Sequence, residues 1–362
     1  MTRGRRRAAR YAVLAAIVTW LPIVILSIAA PSEPSGAALL RDQIAAAVRC
    51  LVCVPLFVLA NELCMPRLWR IIDIFSRSGI VGDRERFDRA AARARYSMDS
   101  TFGKVVAVIA AYIASAAVGL AFPMERLADW HVNSSAALGF SPAGWWHVLV
   151  SLPVLFALAF HWMWRIAAWG MLLCRIARCD LHLVAAHPDG NGGIAFVGRS
   201  VGAFVSVGLG FSAIAAGRSA QVIAEAGRLT MSQTYFDVGY VVVIIALFVA
   251  PLLVFTPALV LTGRRGSVMY GSFARRMGAA FEQKWLIDES RPIEDRVFGV
   301  TDFSAMTDLY SITLNARKVH VVPVSRRDLM SLAVGLVIPF LPVVFLVVPA
   351  ATILKQVVGL LF

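Results

Sequence analysis

The sequence predicts an all-α fold: a polytopic helical membrane protein with six or seven transmembrane helices and a small cytoplasmic helical layer. Three observations carry that reading. Of 362 residues, 59% are hydrophobic and 16% charged, whereas soluble domains run roughly 45–50% apolar and about 25% charged. The apolar residues come in blocks of about 20, the length that crosses a bilayer core. Lys and Arg collect in alternate segments between those blocks, which is the positive-inside pattern.

Seven blocks qualify as spans: 11–30, 45–65, 104–123, 147–173, 200–217, 239–262 and 330–349. With Arg3, Arg5, Arg6, Arg7 and Arg10 on the cytoplasmic side, segments 66–104, 174–200 and 263–329 share that side. Together with residues 1–10 they hold 28 of the 35 Lys and Arg. Arg165 alone falls inside a span. This distribution accounts for the net charge of +13 without nucleic acid, and membrane lipids are the partners it implies. The chain reads as a single integral membrane domain over 1–362. Seven spans put the C-terminus outside, with 350–362 either outside or along the interface.

The first block follows five arginines and is too long for a typical signal-peptide core, so it reads as a retained anchor. The second contains Cys50 and Cys53. A C-x-x-C pair there resembles the redox pair of membrane thiol oxidases, but no second outer pair follows, and the cysteines read as packing residues. In 66–104, Leu68, Ile71, Ile72 and Phe75 recur at helical spacing. Gly79 and Gly82 interrupt that helix, and Asp83 is placed to cap a second one with Phe87, Ala91, Ala94 and Met98 on one side. Trp130, Trp145 and Trp146 mark the outer interface. Asn133-Ser134-Ser135 matches a glycosylation sequon without consequence in a bacterium.

Span four carries His161, Arg165 and Trp169 at i, i+4 and i+8, on one face. A buried Arg needs a partner or must snorkel. Glu62, beside Asn61 in span two, stands near the same level and is the expected partner. Asn61, Glu62, His161 and Arg165 are thus candidates for a solute or ion pathway, or for a structural ion pair. Span five has Gly202, Ser206 and Gly210 on one face and Gly208, Ser212 and Ala216 on another, which lets helices approach closely. Segment 218–238 reads as an interfacial helix or an extension of span five.

The link between spans four and five contains His187-Pro188-Asp189-Gly190-Asn191-Gly192-Gly193. Three readings compete. The stretch is similar to the A-H-P-D-D segment of zinc-dependent deacetylases, but Gly190 replaces the second Asp and no H-x-x-H follows, so a metal site lacks ligands. The glycines could expose N–H groups to an anionic ligand, with His187 and Asp189 beside it. The favoured reading is an ordered turn in which Gly190, Gly192 and Gly193 take positive φ, Asp189 caps the reversal and His187 hydrogen-bonds to a neighbour.

In 263–329, Met269, Phe273, Met277, Phe281 and Trp285 recur every four residues, a stripe expected to be helix–helix packing. A further helix follows, with Phe303, Met306, Tyr310 and Leu314 expected on its packed face. "KVHVVPV" then leads as an extended strap into the last span.

Three stretches resemble a family of uncharacterised bacterial polytopic inner-membrane proteins. They are the His187–Gly193 loop running into "IAFVG", "FEQKWL" at 281–286, and 301–324 leading into "PFLPVVFLVVP". The resemblance implies a helical inner-membrane protein with no known activity; the cytoplasmic N-terminus is expected from the Lys and Arg distribution. The leading expectation for function is a channel or transporter for a small solute or ion. The alternative is a scaffold or sensor binding a partner through cytoplasmic helices. An enzyme at the cytoplasmic face is the weaker alternative. No cofactor and no metal are expected. A homo-oligomer and a cytoplasmic protein partner stay open.

Overall fold

The computed structural model describes residues 3–29, 43–121, 129–131, 139–287 and 301–347. The Asn133 sequon, most of the 31–44 turn, segment 288–300 and the tail from 348 lie outside the described residues. Among the described residues seven helices are long and apolar enough to cross a membrane, so the fold is all-α and polytopic. Among the described residues the only β pairing is an isolated bridge between Val81 and Leu181.

The spans are α1 (Arg3–Ala29), α2 (Ile44–Arg77), α4 (Thr101–Ala121), α5 (Pro142–Ala177), α6 (Val205–Ala226), α7 (Met231–Trp285) and α9 (Arg326–Leu346). Two further helices, α3 (Arg84–Asp99) and α8 (Thr301–Arg317), lie between spans. The expected spans are met, and two of them continue beyond the bilayer as helices, as the helical spacing over 68–75 and 269–285 predicts. α2 runs twelve residues past Met65, and α7 continues without interruption to Trp285. Backbone hydrogen bonding continues a helix into water wherever the sequence offers no stop signal.

α6 is the central helix. Of its apolar window 67% is buried, against 22–39% for the other spans. Its small residues make this possible. A Cβ on Gly210 would stand 2.7 Å from the Phe57 ring, and one on Gly208 2.9 Å from Leu336. Ser212 Oγ donates to the Leu336 carbonyl of α9. Around α6 lies an aromatic-rich core in which Phe57, Phe75, Trp162, Trp169, Phe204, Phe248 and Phe255 are fully buried. Trp162 Nε1 donates to the Phe57 carbonyl at 3.0 Å, tying α5 to α2. Residues 218–226 extend α6, and Gly227, at φ 71°, ends it.

α2 and α5 each contain a π turn, at Arg49–Cys53 and His147–Ser151, and both segments pack against α1. Ser151 Oγ donates to the Thr19 carbonyl of α1 at 2.6 Å. Cys50 and Cys53 are buried free thiols in the first of these turns. α7 is tightened into 3₁₀ geometry at Ala250–Phe255, where Pro251 removes a donor.

At the end of the bundle holding most of the Lys and Arg, the basic end, α2 stops at Arg77 and Gly79 takes φ 68°. Asp83 then caps α3 by accepting from Arg86 N at 2.9 Å. Phe87, Ala90, Ala91, Ala94 and Met98 bury the expected face. Two expectations fail here. In the α7 stripe, Met269 and Phe273 are exposed, Met277 is largely so, and only Phe281 and Trp285 pack, both against Phe303 of α8. α8 buries Met306, Leu309, Thr313 and Ala316, while Phe303, Tyr310 and Leu314 are exposed. The reason is local: the contact with α7 forms through Ala274 and Gly266, small residues that admit α8 and the loop below it, rather than through the bulky stripe.

Candidate functional site

Two groups of candidate residues sit at the basic end, and the structure keeps them apart.

The first surrounds Arg165. Its guanidinium is committed on every side. Nη2 meets Asp99 Oδ1 at 3.0 Å, Nη1 donates to Asn61 Oδ1 at 2.8 Å, and Nε donates to the Met98 carbonyl at 3.2 Å. The guanidinium carbon lies 5.1 Å from the centre of the Trp162 ring. The expected Glu62–Arg165 pair is not formed. Glu62 instead accepts from Asn61 Nδ2 at 3.3 Å, so Asn61 stands between the two charges. The physical reason is the reach of Arg165. Its side chain extends toward the basic end, where Asp99 is 63% exposed while the Arg165 side chain is 8% exposed. An acid that stays partly hydrated costs less to pair than one buried with the arginine.

Met98 and Ser97 are the last residues before Asp99 ends α3; Ser97 O accepts from Ser100 N at 3.4 Å and from Ser100 Oγ at 2.9 Å, and both carbonyls take a further donor from α5. Arg165 satisfies Met98, and the neighbouring Trp164 donates from Nε1 to Ser97 O at 2.9 Å. Two consecutive side chains of α5 therefore cap α3. Ser100 turns the chain and caps α4 by accepting from Gly103 N at 3.1 Å. Gly103 must lack a side chain there, since a Cβ would lie 2.6 Å from Trp164 Nε1. His161, one turn before Arg165, has a buried Nδ1 with no partner.

The second group is the His187–Gly193 loop. Gly190, Gly192 and Gly193 take φ of 66°, 65° and 99°. The N–H groups they help to turn inward converge on one acceptor, the Asp189 carboxylate. Oδ1 accepts from Asn191 N at 2.8 Å and Gly193 N at 3.1 Å, and Oδ2 accepts from Ala195 N at 3.1 Å. His187 Nδ1 lies 2.9 Å from Oδ1 and 3.3 Å from the Asp189 backbone N–H. Burial alone would raise the Asp189 pKa. The three backbone donors and His187 outweigh it, and the net shift is downward. The anion cradle considered for this sequence thus exists, and the chain's own carboxylate occupies it.

The loop is also tied on both flanks. On one side Gly82 N donates to Asp180 O and His182 N to Ile80 O, each at 2.8 Å. On the other, His320 N donates to Gly190 O at 2.8 Å. Above it Gly266 of α7 packs so closely that a Cβ would overlap Ala185.

Two surface cavities lie at this end. One, of about 440 Å³, opens between α3 and α5. The other, of about 270 Å³, lies between α7 and the 317–321 strap and is lined by Arg264, Ser267, Arg317 and His320. Neither is lined by Asn61, Glu62, His161, Arg165, His187 or Asp189. Among the described residues no three His, Cys, Asp or Glu side chains come together as a metal site.

Sequence reasoning missed Asp99 and Trp164, and it named Asp189 as a cap without the three N–H groups that it gathers. For Asp99 a signal was present: it is the last acid before span three, within reach of an arginine pointing toward the same end. Compared with family models, with curated proteins and with solved structures, the chain matches none.

Proposed function

We propose that this integral membrane protein is a scaffold or sensor that binds a partner through the helical layer at its basic end. The observation that carries the reading is the face left open on α7. Met269, Phe273 and Met277 stand at i, i+4 and i+8, with Phe273 46% exposed. Arg264, Arg265, Arg275 and Arg276 flank them and are exposed. Apolar anchors framed by arginines suit an acidic, amphipathic protein segment. The same proposal puts this end and the N-terminus in a bacterial cytoplasm, which the Lys and Arg distribution supports. A photo-reactive residue at position 273 in the native membrane should give one discrete protein adduct. Charge reversal by Arg275→Glu with Arg276→Glu should abolish it. Adducts with lipid alone would overturn the proposal.

A second reading, transport, rests on the polar row Glu62–Asn61–Arg165–Asp99 that crosses from α2 to the end of α3. His161, half-buried on the same face as Arg165 and with its Nδ1 buried and unpartnered, adds to it. It predicts proton or monovalent-cation flux into proteoliposomes that Asn61→Leu removes while the thermal melt is retained. Absence of flux from protein that melts cooperatively would exclude it for those ions.

A further inference from the structure

The larger cavity at the basic end has an ordered chemistry. Its α3 wall presents Arg93, Tyr96 and Ser97, and its α5 wall presents Ala168, Met171 and Arg175. On α5 these three residues share one helix face, at i, i+3 and i+7. Met171 is 46% exposed on the flank of a membrane span, so the groove opens sideways onto the region of lipid chains. Arg175 lies one turn closer to the basic end and Arg93 stands across the cavity from it. Tyr96, also exposed, supplies a phenol at the level where interfacial aromatic residues settle.

Neither Arg93 nor Arg175 has a hydrogen-bond or ion-pair partner for its guanidinium among the described residues. The acid that ends α3, Asp99, is engaged by Arg165. Two uncommitted guanidinium groups therefore face one space whose floor is aliphatic. Like charges converge at a cost unless an anion lies between them. Guanidinium groups are well shaped for phosphate oxygens.

We propose that this cavity is a binding site for the phosphate of an anionic phospholipid. The phosphodiester lies between Arg93 and Arg175 and is reached by the Tyr96 hydroxyl. One acyl chain descends past Ala168 and Met171. A free phosphate would use the two arginines but not the aliphatic floor. The sideways opening and the exposed Met171 decide for the lipid. The site is distinct from the α7 face and does not depend on it.

The test uses the full chain, purified in a mild non-ionic detergent, with its melting temperature followed as one probe at a time is added. Phosphatidylglycerol should raise the melting temperature saturably, and phosphatidylcholine should do so weakly or not at all. Arg93→Gln with Arg175→Gln should remove the phosphatidylglycerol shift without lowering the lipid-free melting temperature. Ala168→Phe, which fills the floor and alters no charge, should weaken phosphatidylglycerol binding at least tenfold. Arg84→Gln with Arg89→Gln, which lie outside the cavity lining, should keep the full shift. If Arg175→Gln does not fold, Arg93→Gln carries the test alone, because its side chain is exposed. An equal shift with phosphatidylcholine, or a phosphatidylglycerol shift that survives loss of the arginines, would overturn the proposal. Saturable protection by inorganic phosphate that Ala168→Phe leaves intact would assign the cavity to a free anion and overturn it as well.

Discussion

Arg165→Met, combined in turn with changes at Asn61, Asp99 and Glu62, separates the structure's account of this arginine from the pairing the sequence suggests. The magnitudes differ because the three partners differ in exposure and contact. Asn61 Oδ1 accepts from a buried guanidinium at 2.8 Å, and hydrogen bonds to charged groups contribute about 1.5–3 kcal/mol. Asp99 is 63% exposed, so solvent screening leaves about 0.2–1 kcal/mol for its share. Glu62 touches Asn61 rather than Arg165, so its coupling to Arg165 should be within about 0.5 kcal/mol of zero. Arg165→Met alone strands the Met98 carbonyl and the Asn61 amide, each at a cost of about 1–3 kcal/mol. Loss of a desolvated charge offsets part of that.

The assay is a double-mutant cycle on unfolding in mixed micelles, using Asn61→Leu, Asp99→Asn and Glu62→Gln against Arg165→Met. Coupling should fall in the order Asn61, Asp99, Glu62. A stronger coupling for Glu62 than for Asn61 would refute the reasoning. Hydrogen exchange gives an independent readout. Losing the cap on α3 should speed exchange of the amides around Gly103, at the elbow into α4, more than those in the middle of α6.

Three other outcomes follow from the loop and the topology. Asp189 has a folded pKa below its ordinary value, so its stabilisation is full above the ordinary carboxylate range and is lost as pH falls through the folded value. The melting-temperature gap between wild type and Asp189→Asn should therefore be widest at neutral pH and close below about pH 4; a gap that ignores pH would refute the cage. Gly192→Val should impair folding more than His187→Ala, and Gly192→Ala more than Gly227→Ala. Both glycines have positive φ, but a Cβ at 192 also meets Leu183 at 3.2 Å while at 227 it meets nothing within 4 Å. The second difference is read in thermal melts, where Gly227→Ala should cost about 1–2 kcal/mol for left-handed backbone alone. Reporter fusions after Arg10 and at Gly190 should report one side of the membrane and a fusion after Phe362 the other, if all seven helices cross.

The spans were legible because their cause is local. A run of about 20 apolar residues satisfies the bilayer whatever its neighbours do. The same holds for the Asp83 cap and for Leu68, Ile71, Ile72 and Phe75, where period and stop signals sit within one turn. The partner of Arg165 was not legible, because level-matching along two spans ignores the reach of a long side chain toward the headgroups. The packed face of α8 was misread for a related reason. Large side chains at helical spacing mark an apolar face, but Gly266 and Ala274 decide which face another helix can approach. The His187–Gly193 loop was legible as a turn from its glycines. Asp189 was legible as a cap for that reversal, but the three N–H groups that it gathers were not, since backbone N–H groups leave no mark in the sequence.

The two features assigned to the basic end share a mechanical element. Arg165 and Trp164 hold the last turn of α3 against α5, and Ser97, whose carbonyl Trp164 caps, also lines the proposed lipid cavity. The width of that cavity is set by how closely α3 is held. Loosening the cap by Arg165→Met should therefore weaken phosphatidylglycerol binding even though Arg165 does not line the groove. Replacing Arg49, near the opposite end of the bundle, should leave binding unchanged. Phosphatidylglycerol should in turn restore part of the stability lost by Arg165→Met, because a ligand that binds the closed elbow shifts the population toward it. Titrating the variant with lipid and following the exchange of Gly103 reads that coupling directly. Exchange at Gly103 that does not slow as lipid saturates would show that the cap and the cavity act independently.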